Sequence, residues 1–156
     1  MPSASTVFVD TNVLLYAQDP RSPDKQQRAS DWLAACWRSS CGRISTQVLN
    51  ELYVNLRRTA PSLAVDDCRA LVRRYRAWNP WTVDETTVDI AWRLQDGALL
   101  NYWDALMVAA AQQQGCSVLL TEDLQHGQQF DSVRILNPFI TGPEWLDNPG
   151  PAPAAS

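Results

Sequence analysis

The sequence predicts an α/β fold, a parallel sheet with helices on both faces. Three observations carry this reading. Short apolar or β-branched runs alternate with longer stretches whose apolar residues recur at helical spacing. The runs at residues 6–9 and 117–121 are apolar throughout their interiors, as strands covered on both faces require. The 156 residues, 46% hydrophobic and 19% charged, suffice for one well-filled core, whereas two would be unusually small.

Each element has a local reason. Residues 6–9 form a β-branched and aromatic strand that ends at Asp10. Residues 11–18 follow as a helix, with Val13, Leu14 and Ala17 on one side, and Asp19-Pro20 stops it. Ala29, Trp32, Leu33 and Cys36 make one stripe of a helix over residues 24–38, broken at Gly42. Residues 43–45 allow only a brief strand, and Ser45 or Thr46 caps the helix over 47–59, whose face is Val48, Leu49, Leu52 and Leu56. An amphipathic helix covers residues 65–78, a short strand 81–83, and a further helix 85–95. Asn101 caps a mostly apolar helix over 102–114, with Gly115 at its end. Residues 117–121 and 133–136 are the remaining strands. The segment 141–156 holds 4 of the 10 prolines and reads as a loosely ordered extension of a domain spanning residues 1–140.

Composition excludes several classes. The formal charge is −4, against a basic nucleic-acid coat protein, and Lys25 is the only lysine among 13 basic residues. The first six residues lack a basic region followed by an apolar stretch, so they do not read as a secretory signal. The longest apolar run, residues 105–111, is too short to span a bilayer. Cysteines 36, 41, 68 and 116 show no zinc spacing and read as reduced and buried, which places the protein in the cytoplasm.

In open parallel sheets, ligands bind beyond the carboxyl ends of the strands, where strand order switches. Four acids fall at that edge. Asp10 ends the first strand, and Asp123 lies just beyond the strand at 117–121. Glu51 is about one turn into the helix after the short strand at 43, and Asp104 is in the first turn of the helix that leads into 117–121. Each has a plainer use: Asp10 as an N-cap, Asp104 as a first-turn acid favoured by the helix dipole, Glu51 as a solvated helix residue, and Asp123 as a turn or cap residue whose role Glu122 beside it could share or replace. Met107, Val108 and Ala111 continue the face of Asp104, which predicts a buried carboxylate in need of a counter-charge.

Four converging carboxylates with no basic partner nearby in sequence repel one another, and a divalent cation resolves the conflict. Oxygen-only ligands select Mg2+ or Mn2+ over zinc. Such sites activate water and offset charge on a phosphate during in-line displacement, so phosphodiester hydrolysis is the reaction class.

The segments Val9-Asp10-Thr11-Asn12-Val13-Leu14, Leu49-Asn50-Glu51, Tyr102-Trp103-Asp104-Ala105-Leu106 and Leu120-Thr121-Glu122-Asp123-Leu124 resemble, in order, the four acidic motifs of PIN-domain ribonucleases. Residues 133–139 resemble the last strand of that family. The size resembles the VapC toxins of bacterial toxin–antitoxin pairs. The resemblance implies a three-layer α/β/α sandwich with a five-stranded parallel sheet of order 3-2-1-4-5. It also implies an RNA substrate, an antitoxin partner and a homodimer. By position, Asp10, Glu51 and Asp104 match the core metal-binding acids and Asp123 the fourth, more variable one. Asn12 and Thr121 match polar positions that orient acids or water. The sequence departs from many relatives at Leu124-Gln125-His126-Gly127, where they carry an acid and an aromatic.

Other residues carry weaker signals. His126, the only histidine, either serves a leaving group or is solvated in a loop. Arg57, Arg58 and Arg73 are candidate RNA contacts, Arg73 sharing a face with Arg69 and Arg76; the alternative is a solvated face paired with Asp66 and Asp67. Trp78 and Trp81 either stack on bases or pack in the core or a dimer. The reading is a Mg2+-dependent endoribonuclease toxin held by an antitoxin. The alternatives are an RNA-processing nuclease and an inert binding module. Phosphatase and receiver chemistry fit poorly, because Asn12 stands where a second aspartate is needed and no later lysine exists.

Overall fold

A computed structural model describes residues 5–150. The reading of the first six residues therefore falls largely outside the described residues, as does the end of the Pro-rich segment.

Strand β1 (Val7–Val9) is an inner strand of the sheet, with all three residues buried. It is followed by α1 (Thr11–Tyr16), α2 (Pro23–Ser39), the two-residue β2 (Gly42–Arg43), α3 (Thr46–Thr59) and α4 (Val65–Arg74). Helices α5 (Glu85–Gly97) and α6 (Tyr102–Gln113) then lead to β3 (Val118–Leu120), β4 (Gln129–Phe130) and β5 (Val133–Leu136). Ser45 caps α3 through its side chain, Asp84 and Thr87 form a reciprocal capping box on α5, and Asn101 caps α6.

The sheet runs β2-β1-β3-β5-β4, with every pairing parallel except β5 with β4. Ser45 pairs with Trp81 in a single parallel bridge outside β2. Counting that bridge as the third parallel segment, the order 3-2-1-4-5 is the one observed. An all-parallel sheet is not. Strand β4 folds back on β5 across Asp131-Ser132, where Asp131 takes a left-handed conformation (φ 53°) that a short acidic side chain tolerates. The strand expected at 81–83 shrinks to the bridge: Trp81 donates its N–H to the Ile44 carbonyl at 3.0 Å and accepts from Thr46 at 2.9 Å, and no ladder extends further.

The helix expected over 65–78 is α-helical only to Arg74. Its last turn, Tyr75–Trp78, tightens to a 3-10 helix and ends at Asn79 (φ 52°), just before Pro80. Tightening brings Trp78 into a cluster with Trp37 and Tyr75, ring centroids about 5 Å apart (4.9 and 5.1 Å). Gly42 completes that packing, since a Cβ there would stand 2.7 Å from the Trp78 ring. Trp78 is buried, and Trp81 donates from its indole to Thr87 Oγ1 at 3.2 Å, so both tryptophans pack rather than present a stacking face.

Residues 141–150 lie against the body of the fold. The Trp32 indole donates to the Thr141 carbonyl at 2.9 Å, and Trp145 and Leu146 of the 3-10 turn Pro143–Leu146 pack on the core. The four cysteines are free and buried. Among the described residues, no helix is long and apolar enough to cross a membrane.

Candidate functional site

Parallel pairing sets the site. Val9 of β1 is abreast of Leu120 of β3, so the next residue on each strand, Asp10 and Thr121, emerges at the same carboxyl edge. Asp10 occupies the N-cap position of α1, but its carboxylate makes no capping bond; Oδ2 accepts from the Thr121 hydroxyl at 2.8 Å. Thr121 Oγ1 in turn accepts from the Asp123 amide at 3.1 Å. One hydroxyl thus fixes a buried carboxylate and the turn that carries an exposed one.

The helices supply the rest. Glu51 on α3 accepts from Thr11 Oγ1 at 2.7 Å on one oxygen and from Gln47 Nε2 at 2.9 Å on the other. Asp123 Oδ2 accepts from Asn12 Nδ2 at 3.0 Å. At the start of α6, Asn101 caps Asp104 twice: its carbonyl accepts the Asp104 amide and its Nδ2 donates to Asp104 Oδ2, both at 2.8 Å. Asp104 is half-buried rather than enclosed, because the first turn of α6 opens at the sheet edge.

Burial pushes the Asp10 carboxyl up from 3.8 to about 7; the Thr121 hydrogen bond opposes this, and the charges of Asp123, Asp104 and Glu51 add to it. Burial raises Asp104 as well, helped by Asp123 and Glu51 and opposed by Asn101. Neither of the two ion pairs among the described residues, Arg21–Asp19 and Lys25–Glu122, involves these four acids. Their charge is met only by neutral donors. No three His, Cys, Asp or Glu side chains among the described residues are drawn together tightly enough to grip an ion as they stand.

Several expected residues stand elsewhere. Glu122 turns away from Asp10: it accepts from the Tyr16 hydroxyl at 2.6 Å and from Lys25 Nζ at 2.9 Å, while Lys25 lies over the Tyr16 and Phe139 rings. It therefore does not share the role of Asp123. His126 Nδ1 accepts the Asn137 amide at 3.0 Å, bracing the loop before β4. Arg57 and Arg58 are exposed on the last turn of α3, about 9 and about 10.5 Å along the helix axis from Glu51. Arg73 is exposed on α4, and neither Asp66 nor Asp67 pairs with an arginine among the described residues. Gln47 was not singled out by the sequence, although it stands four residues before Glu51 on the same helical face. It is buried, ties Glu51 to the Trp103 carbonyl (3.2 Å), and leaves its own Oε1 without a hydrogen-bond partner among the described residues.

The sequence matches the PIN domain over residues 7–133, most of the chain. The protein belongs to the PIN-domain family. Solved structures with this PIN fold include the toxin–antitoxin complex from Klebsiella pneumoniae (17% identity, TM-score 0.59, covering 86% of this chain and 98% of that one). VapBC2 from Rickettsia felis, bound to a DNA fragment from its promoter, is similar at 14% identity and TM-score 0.55, over 83% and 96% of the two chains. VapC20 from Mycobacterium tuberculosis, a toxin that cleaves the sarcin–ricin loop, is similar at 18% identity and TM-score 0.52, over 73% and 87%. No curated protein matches the sequence. The PIN match spans β1 to the start of β5 and so takes in all four acids.

Proposed function

We propose that this PIN domain is a Mg2+- or Mn2+-dependent endoribonuclease, the toxin of a toxin–antitoxin pair. One observation carries the reading: four carboxylates from four separate parts of the chain stand at one sheet edge, and none of them is in an ion pair among the described residues. A purely structural set of acids would pair with arginine or lysine, as Asp19 and Glu122 do here.

The residues fit a hard divalent cation. Every ligand these four acids offer is an oxygen, and Gln47 Oε1 adds a buried neutral acceptor with no hydrogen-bond partner among the described residues. Asp10, Glu51, Asp104 and Asp123 would hold the ion or ions, Asp10 and Asp104 the principal one. When bound, Mg2+ or Mn2+ supplies an activated water and offsets charge on the scissile phosphate. The chain's own part is orientation. Thr121 aims Asp10, Thr11 and Gln47 hold both oxygens of Glu51, Asn101 fixes Asp104, and Asn12 holds Asp123.

Support for the toxin assignment is the likeness to structures of toxin–antitoxin complexes over nearly their whole length. An antitoxin protein is the proposed partner, a homodimer the proposed assembly and the cytoplasm the proposed compartment. The test is cleavage of a mixed RNA pool by purified protein with Mg2+ or Mn2+. EDTA and Asp104→Asn should each abolish it while the fold, read by circular dichroism, is kept. Full activity in Asp104→Asn overturns the proposal.

A further inference from the structure

The cysteines take no part in the candidate site, and two of them stand together. Cys36 lies in the last turn of α2 and Cys41 two residues beyond its end. The helix closes as a Schellman motif. Ser40 takes a left-handed conformation (φ 53°), its N–H bonds to the Trp37 carbonyl at 3.3 Å, and the Cys41 N–H bonds to the Cys36 carbonyl at 3.1 Å. Such a motif is often sealed by an apolar contact between the two residues that its outer bond joins. Here both of those positions are cysteine.

The motif holds the pair within reach of a disulfide. With a 3.1 Å bond between their own backbone atoms, standard bond lengths keep the two Cα atoms no more than roughly 7 Å apart. A disulfide spans about 4.4–6.8 Å between Cα atoms. The side chains face each other: both are buried in the main core, and the Cys36 thiol donates a hydrogen bond to the Cys41 sulfur. That bond lowers Cys41 to about 7 and raises Cys36; burial adds to the rise, and the Arg43 charge adds to the fall. Arg43 folds back on the same turn, donating to the Ser40 and Gly42 carbonyls at 3.2 and 2.8 Å. Burial holds Cys116 up at about 11, so at neutral pH Cys41 carries far more thiolate than Cys116.

We infer that Cys36 and Cys41 are a redox pair, a modification site at which hydrogen peroxide forms a reversible disulfide. The Cys41 thiolate attacks one peroxide oxygen; the O–O bond breaks, a sulfenic acid forms and hydroxide leaves. The hydroxide takes the Cys36 proton and becomes water. The Cys36 sulfur then attacks the Cys41 sulfur, so that the S–S bond forms, the S–O bond breaks and a second hydroxide leaves. Two electrons pass from the thiols to the peroxide, and an added dithiol returns them. Peroxide suits the place because Cys41 is only 4% exposed, an opening for a molecule little larger than water. The pair stands at the amino edge of the sheet: the Cys41 carbonyl accepts the Val7 N–H at 2.9 Å where β1 begins, whereas Asp10 follows its other end. The inference is therefore independent of the nuclease reading.

The test treats the full chain with hydrogen peroxide at neutral pH in EDTA, removes the excess with catalase, and alkylates the remaining thiols in denaturant. Two of the four thiols should be lost to alkylation with no link between chains. Trypsin cuts after Arg28, Arg38 and Arg43, so residues 29–38 and 39–43 should appear as one linked species that a dithiol separates. Cys36→Ser should leave Cys41 as a sulfenic acid captured by dimedone, and Cys41→Ser should slow the oxidation of Cys36 roughly ten-fold or more. The oxidised chain should melt no lower than the reduced one, since the motif already holds the pair. Four alkylatable thiols after treatment overturn the inference. So do a linkage through Cys68 or Cys116, a melt lowered by oxidation, or a disulfide that forms only once the chain has been unfolded.

Discussion

The Thr121 hydroxyl donates to Asp10 Oδ2 at 2.8 Å while accepting the Asp123 amide at 3.1 Å, so one side chain couples the carboxyl ends of β1 and β3. Asp10 is only 4% exposed, and that hydroxyl is the side-chain hydrogen bond it receives. Thr121→Val keeps the shape and removes both bonds. The buried carboxylate then loses the one side-chain donor it has among the described residues, at a cost of about 1–3 kcal/mol. Losing a partner that orients a metal-binding carboxylate reduces metal affinity or activity roughly 10–100-fold. Mg2+ titration by calorimetry, alongside RNA cleavage, should show both effects, with Thr121→Ser restoring most of the affinity.

The pH dependence of stability has a definite sign. In the native protein Asp10 titrates near 7, and in the unfolded chain near 3.8, so folding takes up a proton between those values. Metal-free protein should therefore lose stability as pH rises from 4 to 7, with Asp104 acting in the same direction. Asp19, Asp84 and Glu122, whose pKa values are lowered, act near or below their unfolded values of 3.8 and 4.5, and Cys41, lowered to about 7 by its hydrogen bond with Cys36, opposes the trend only above that pH. Thermal melts in EDTA should fall by on the order of 10 °C between pH 5 and pH 8. Asp10→Asn should flatten the profile, and added Mg2+ should raise the pH 8 melt most. A profile equally steep in Asp10→Asn would refute the assignment of the effect to Asp10.

Much of this site was legible in the sequence because strands constrain it. A residue that ends a buried strand in a parallel sheet has one place to go, and Asp10 and Asp123 went there. Glu51, about one turn into α3, and Asp104, in the first turn of α6, were legible because both helices start at the same edge. The neutral donors were not: Thr11 and Gln47 gain meaning only from packing of α1 against α3, and Gln47 carries no charge to draw notice. Its spacing of four from Glu51 was the available signal. Asp104 read as buried because its helix is apolar, yet a first turn is open on the side where the chain enters. The antiparallel β4 escaped because a Gln-Phe pair has no periodicity; the Asp131-Ser132 turn was its one trace. Trp78 and Trp81 drew attention because they flank Asn79-Pro80, whereas Trp103, inside an acidic motif, passed as part of it.

Glu122 and Asp123 are neighbours with opposite fates, which makes them a matched control. Glu122 is engaged by Tyr16 and Lys25, away from the other acids, whereas Asp123 meets Asn12. Glu122→Gln should keep RNA cleavage within a few-fold and cost less than about 1 kcal/mol, since its ion pair is partly exposed. Asp123→Asn should reduce cleavage far more without a comparable change in melting temperature. Equal losses of cleavage in the two variants would show that the turn, not the Asp123 carboxylate, is what matters.

Gln47 offers the sharpest test of how the helices serve the site. Its Nε2 donates to Glu51 and to the Trp103 carbonyl, linking α3 to the first turn of α6, while its Oε1 is buried without a partner among the described residues. Gln47→Leu removes the link and the orphaned oxygen together. Losing a hydrogen bond to a charged partner costs about 1.5–3 kcal/mol, and eliminating a buried unsatisfied acceptor returns about 1–3 kcal/mol, so the two nearly cancel. Stability should then change little, as read by chemical denaturation, while cleavage falls roughly 10–100-fold because Glu51 is no longer held on both oxygens. Gln47→Glu should be worse on both counts, since it adds a fifth carboxylate to a site whose four already repel. If Gln47→Leu cleaves RNA as well as the unaltered chain, the brace on Glu51 has no part in the chemistry.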